Sequence, residues 1–222
     1  MFDILAFAAL ALQPAPPFAD EIAAFKRQDA LAMPPRCATL FVGSSTIRMW
    51  PHLADDFAFP VIQRGFGGST IADVERYFDD IVIPYKPARI VLYAGDNDID
   101  AKQQPADLFA RLKRLLDRKT AALGATPVYF VSVKPSPSRI GQIADQRALN
   151  AMVKGLAAER ADLVYVDTAA TMLTSGSPDP ALFREDMLHM NQAGYDRWRA
   201  TVDRALAHSK ASAAPGCSTH RQ

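Results

Sequence analysis

The sequence predicts an α/β protein with a mostly parallel sheet covered by helices on both faces. Three observations predict it. Five short apolar runs recur after residue 37, rich in Val, Ile, Tyr and Phe. Longer amphipathic stretches separate them. Over 222 residues, 49% hydrophobic and 22% charged is the mix of a folded globular chain, about one domain at ~150 residues per domain.

The runs are Ala38–Gly43, Pro60–Ile62, Arg89–Gly95, Pro127–Val133 and Leu163–Asp167. Their shortness and their β-branched and aromatic content mark buried strands. Among the amphipathic stretches, Leu108, Leu112, Leu115, Leu116 and Leu123 recur at helical spacing, with Arg111, Lys113, Arg114 and Arg118 among them. Residues 142–160 and 191–207 read the same way. Asn191 is the expected cap of the last helix, whose Tyr195, Trp198, Val202 and Leu206 share one face. Strands alternating with helices require right-handed crossovers and hence parallel pairing.

Composition excludes several classes of function. Formal net charge is +1, from 25 basic and 24 acidic residues, so no nucleic-acid footprint is expected. The apolar content excludes a disordered chain. No stretch reaches the ~18 unbroken apolar residues of a membrane span, so no stable membrane insertion is expected. The first residues, MFDILAFAALAL, form a short apolar run in which Ala9-Leu10-Ala11 suits signal cleavage. Asp3 and the lack of a preceding positive charge oppose that reading, so periplasmic or secreted and cytoplasmic locations both stay open. QPAPP then reads as a linker.

Cys37, just before the first strand, is expected as a buried small hydrophobe. Cys217 falls in the tail KASAAPGCSTHRQ, expected to be disordered. No Cys or His spacing suggests zinc, and no structural disulfide is expected. The organisation is an apolar segment with linker or helix over 1–37, a catalytic-type domain over 38–207 and a tail over 208–222.

In parallel α/β sheets, ligands gather beyond the carboxyl ends of the strands. Five segments stand there: GSSTI, QRGFGGST, GDNDID, KPSPS and the long stretch ending in DMLH. A serine after Gly43 at a strand-to-helix turn suits a nucleophile, although a serine there also suits a helix cap. The glycines of 65–68 let a backbone N–H point into a site, or simply build a tight turn. They match neither phosphate-loop pattern. Asn97 offers an amide to a developing oxyanion, with a plain polar turn as the alternative. Asp96, Asp98 and Asp100 alternate like calcium ligands, but Ala101 stands where such a loop needs glycine and Asp107 where it needs glutamate. Asp186, three residues before His189, is placed to orient its imidazole. Ser132-x-Lys134 could pair on one strand face as a different serine dyad.

Taken together and in this order, GSS at 43–45, RGFGGST at 64–70, GDND at 95–98 and DMLHMNQAGY at 186–195 resemble the SGNH, or GDSL-type, hydrolases, in a bacterial acylhydrolase and lipase-esterase branch. The resemblance covers roughly residues 38–207. It implies a three-layer α/β/α sandwich around a mostly parallel five-stranded, flavodoxin-like sheet. It also implies a catalytic triad of Ser45, Asp186 and His189, with oxyanion donors on Ser45, Gly68 and Asn97. The implied reaction cleaves carboxylic esters through an acyl-enzyme and needs neither metal nor organic cofactor. Two positions depart from the family pattern: Ser44 replaces the usual aspartate, and Gln63 stands where asparagine is common, which leaves Gly65 and Gly67 open as alternative donors.

Short loops, apart from Thr174–Glu185, suggest an open cleft for short acyl or acetyl esters, with Phe66, Met187 and Met190 either as its apolar wall or equally as core. The partner is a small-molecule ester. Two other readings are a non-catalytic domain binding a carbohydrate or acyl ligand, and a phosphate-ester hydrolase, for which no basic clamp is evident. The alcohol half and the oligomeric state are not legible.

Overall fold

Period-two alternation along the central strands decides the architecture. The computed structural model describes residues 15–209, with 211, 214, 216 and 217. The whole N-terminal apolar run of residues 1–12, with its suggested cleavage site, and much of the tail lie outside them. Five strands pair in parallel, β1 (Thr39–Gly43), β2 (Val61–Gly65), β3 (Arg89–Tyr93), β4 (Val128–Val131) and β5 (Leu163–Val166), in the order β2-β1-β3-β4-β5. In β1, Leu40 and Val42 point to one face and Phe41 to the other. In β3, Ile90 and Leu92 oppose Val91 and Tyr93, and in β4 Val128 and Phe130 oppose Tyr129 and Val131. Each set enters its own core, so the sheet is covered twice.

The first core is closed by α1 (Ala19–Leu31), α3 (Ile71–Arg76), α4 (Phe78–Ile81), α6 (Pro105–Leu123) and α7 (Ile143–Glu159). α6 buries Leu108, Leu112, Leu115 and Leu116, the stripe that the sequence spacing predicts. The second core lies under α2 (Ser45–Arg48) and α8 (Gln192–His208), where Trp198 stacks edge-on against Tyr93 and Trp50. Asn191 caps α8 as expected, its side chain accepting from the Gly194 N–H at 3.2 Å. A two-stranded hairpin, β6 (Leu173–Thr174) with β7 (Ser177–Pro178), occupies part of the long Thr174–Glu185 stretch.

The strand order reverses between β1 and β3, and a crevice opens above such a switch point. The residues after β1 and β3 therefore face one another across it. They are Ser45 and Asn97.

The cysteines correct the sequence reading. Cys37 is exposed and forms a disulfide with Cys217, across 180 positions. Nearby, buried Ala214 donates its N–H to the Ala88 carbonyl at 2.9 Å. Local spacing could not show this pairing, because it depends on the tail returning to the start of β1. Residues 19–31, within the segment read as apolar with linker or helix, form a helix whose Asp29 is ion-paired with buried Arg64 and accepts from Tyr85 Oη at 2.5 Å.

Candidate active site

Gly43 creates the turn that presents the serine. Its φ is +133°, and a Cβ there would lie 1.9 Å from the Tyr93 carbonyl oxygen. The bare backbone lets Ser44 N–H donate to that oxygen at 3.0 Å. The chain then enters α2 at Ser45. Ser44 stands at the N-cap position of α2 but makes no side-chain capping bond. Gln63, the departure from the family pattern, holds the short helix from the next strand: its Nε2 donates to the Ile47 carbonyl at 2.7 Å and the Trp50 carbonyl at 3.2 Å. Tyr195 Oη donates to the Thr46 carbonyl at 3.0 Å from the other side.

His189 arrives on a loop stapled at both ends. Arg184 N–H donates to the His189 carbonyl at 2.8 Å, and Asn191 Nδ2 donates to the Ala181 and Phe183 carbonyls at 2.8 and 3.1 Å. Asp186 accepts the N–H groups of Leu188 and His189 on Oδ1, both at 2.9 Å. Its Oδ2 lies 2.6 Å from His189 Nδ1, and His189 Nε2 lies 3.1 Å from Ser45 Oγ. The three side chains, spread over 144 positions of the chain, thus form one continuous relay.

Electrostatics assigns the proton. Burial pushes the Asp186 carboxyl up, but the His189 ring and the two backbone N–H groups outweigh it and hold the pKa at about 2. An ionised carboxylate only accepts, so His189 Nδ1 carries the hydrogen and Nε2 turns its lone pair to Ser45. The serine Oγ–H then donates to Nε2.

The glycine turn narrows the choice of donor. Gly67 N–H donates to both carboxylate oxygens of Glu21 at 3.2 Å, and Glu21 also accepts from Arg48 Nη1 at 2.9 Å. A Cβ on Gly65 would strike the Arg48 backbone. Gly68, at φ +71°, is exposed with open space around it. Asn97 Nδ2 donates to the Ser69 carbonyl at 3.0 Å. Asp98, within the same block, accepts the first N–H of α3, from Ile71, at 3.1 and 3.2 Å.

Other sequence candidates separate in space. Phe66 and Met190 are fully buried, Phe66 against Phe18 and Tyr77 and Met190 in the core beside α8, so neither walls a cleft. Met187 remains 40% exposed. The calcium-like aspartates diverge: Asp96 turns to Arg139 and Lys134, Asp98 to Ile71, and Asp100 to Arg139 and Gln142. Ser132 bonds to Thr168 and Ala169, away from Lys134, so the alternative dyad is not assembled. A cavity of about 250 Å³ between α7 and β5 contains no member of the relay. Sequence reading missed Glu21 and Arg139, because nothing in local spacing links them to the blocks they touch.

Solved structures share this fold. A Streptococcus pneumonia protein described provisionally as a platelet activating factor superposes with TM-score 0.74 at 18% identity, over 84% of this chain and 92% of that one. A GDSL-like lipase from Bacteroides thetaiotaomicron gives 0.70 at 22% identity, over 84% and 97%. A catalytic mutant of Axe2, an acetylxylan esterase from Geobacillus stearothermophilus, gives 0.62 at 16% identity, over 78% and 95%. No curated protein matches the chain significantly. The model of the GDSL-like lipase/acylhydrolase family matches residues 35–197, well over half of the chain. This ester-hydrolysing enzyme therefore belongs to the GDSL-like lipase/acylhydrolase family.

Proposed function

We propose that the protein is a serine esterase that cleaves short-chain carboxylic esters through an acyl-enzyme. The observation that carries this is the unbroken relay Ser45 Oγ, His189 Nε2, His189 Nδ1 and Asp186 Oδ2 at 3.1 and 2.6 Å. A serine hydroxyl is a weak nucleophile until a base removes its proton. His189 Nε2 takes that proton as Oγ attacks the ester carbon, and Asp186 stabilises the imidazolium that forms.

Negative charge then collects on the former carbonyl oxygen. The Ser45 N–H opens a helix and has no carbonyl four residues back to bond, so it is free to donate. Gly68 N–H and the second hydrogen of Asn97 Nδ2 complete the hole. Each such donor contributes about 3 kcal/mol to the transition state. The imidazolium next protonates the departing alcohol. Water, deprotonated by the same nitrogen, releases the acid through a second oxyanion.

Acetylated sugars are the substrate class we infer, with half-exposed Met187, two residues from His189, as the apolar side chain offered to a small acyl group. The fold shared with an acetylxylan esterase supports that choice. The test is Ser45→Ala: turnover of p-nitrophenyl acetate should vanish, and fluorophosphonate labelling with it, while the circular-dichroism spectrum stays native. Full activity in that variant rejects the reading. A panel of acyl lengths and acetylated xylo-oligosaccharides tests the substrate, and a preference for long chains rejects the acetyl assignment.

A further inference from the structure

Arg139 stands on the 3₁₀ segment Pro137–Gln142 that follows β4, and its side chain is only 10% exposed. It reaches to the neighbouring α5 (Asp96–Asp100), the short helix after β3 that carries Asn97. Nη2 donates to Asn97 Oδ1 at 3.2 Å and to Asp100 Oδ2 at 3.2 Å, and Nη1 lies 2.9 Å from Asp96 Oδ1. Gln142, from the end of the same segment, donates to Asp100 Oδ1 at 2.6 Å. One planar fork therefore grips three residues of a single helical turn. Two carboxylates meet its charge, one of them shared with Lys134, while the third contact goes to a neutral amide that a salt bridge alone would not involve.

That third contact fixes how Asn97 lies. The Ser69 carbonyl can only accept and the guanidinium can only donate, so the amide cannot turn over. One Nδ2 hydrogen is committed to Ser69. The other is held in the amide plane, pointing away from it. A cation on Oδ1 also polarises the amide and strengthens its N–H as a donor. A donor fixed before the reaction needs no reorganisation when charge appears. The same segment reaches the base: Ser138 N–H donates to the Met187 carbonyl at 3.0 Å, between Asp186 and His189. A lysine would bring the charge without the fork.

We propose that Arg139 is a positioning residue for ester hydrolysis, holding Asn97 Oδ1 so that its free Nδ2 hydrogen is preset for the oxyanion. The proposal rests on the reading of Asn97 as an oxyanion donor. The experiment is a mutant cycle on p-nitrophenyl acetate with Asn97→Ala, Arg139→Ala, Arg139→Lys and the Asn97→Ala/Arg139→Ala pair. Asn97→Ala should lower kcat about 100-fold or more. Arg139→Ala should lower kcat about 10- to 100-fold, with KM held within about twofold. Once Asn97 is alanine, losing Arg139 should cost less than about twofold more, because the two act as one unit. Added guanidinium should restore part of the kcat of Arg139→Ala and none in the double variant.

If Arg139→Ala does not fold, Arg139→Lys in both backgrounds gives the same comparison. An equal loss from removing Arg139 with and without Asn97 overturns the proposal, as does an unchanged kcat in Arg139→Ala. An unchanged kcat in Asn97→Ala overturns instead the underlying assignment of the oxyanion donor, and the two failures are thereby distinguishable.

Discussion

Replacing Asp186 with asparagine separates the two roles of that residue. An asparagine oxygen can still accept the N–H groups of Leu188 and His189, which shape the loop. What changes is the atom facing His189 Nδ1, now an NH₂ that can only donate. The imidazole must then accept on Nδ1 and carry its hydrogen on Nε2, where it faces Ser45 as a donor and can no longer take the proton. The charge term can be bounded. Unit charges about 4 Å apart attract by about 4 kcal/mol at an effective dielectric of 20 and about 1 kcal/mol in water. The Asp186 side chain is 47% exposed and the His189 side chain 21%, so the pair lies between those limits. Two to three kcal/mol of lost imidazolium stabilisation, added to the wrong tautomer, predicts a fall in kcat of about 10²- to 10³-fold. This is milder than for a fully buried triad acid. The assay is steady-state hydrolysis of p-nitrophenyl acetate from pH 5 to 9, with thermal melting as the check on folding. A native-folding Asp186→Asn enzyme that keeps more than about a tenth of wild-type kcat would refute the role of this carboxylate.

Three further outcomes follow from the packing. Burial raises the Asp98 carboxyl, only partly offset by the Ile71 N–H, from 3.8 to about 6. The folded protein thus holds this proton more tightly than the unfolded chain does. The stability it contributes is full below pH 4 and is lost as pH rises from 4 to 6. Relative to wild type, Asp98→Asn should therefore gain about 3 kcal/mol between pH 4 and 7 in urea unfolding, and parallel pH profiles would disprove this. Closing a loop of 180 residues, the Cys37–Cys217 bond should contribute up to about 5 kcal/mol, so Cys217→Ser should melt lower unless reductant is already present. Identical midpoints with and without reductant would contradict it. Gly43→Ala, forced against the Tyr93 carbonyl at a positive φ, should destabilise by at least about 3 kcal/mol, whereas Gly141→Ala, with open space around it, should change stability by no more than about 0.5 kcal/mol.

The fold and much of the candidate site were legible because they are written in local order. Alternation in Leu40-Phe41-Val42 and the spacing from Leu108 to Leu116 are short-range signals, set by the geometry of strands and helices themselves. The blocks that carry Ser45, Asn97, Asp186 and His189 were found one by one, since each chemistry needs particular residue types at a strand end. For Phe66 and Met190 the sequence leaves cleft wall and core open, and the cysteine pairing runs against its reading. Whether an apolar residue beside a turn faces a cleft or the core depends on what packs over it, and for Phe66 that is Phe18, just before α1 and 48 positions earlier.

By itself, the sequence determined that this chain builds a parallel α/β sheet and which functional groups stand at its strand ends. Only the tertiary structure decided that Ser45 meets His189, that Glu21 takes up the Gly67 N–H, that Arg139 grips Asn97 and that Cys37 finds Cys217. The reason is physical. Side-chain periodicity is a property of neighbours along the chain, whereas hydrogen bonds and disulfides across 42 to 180 positions depend on how the layers dock, which no local spacing encodes.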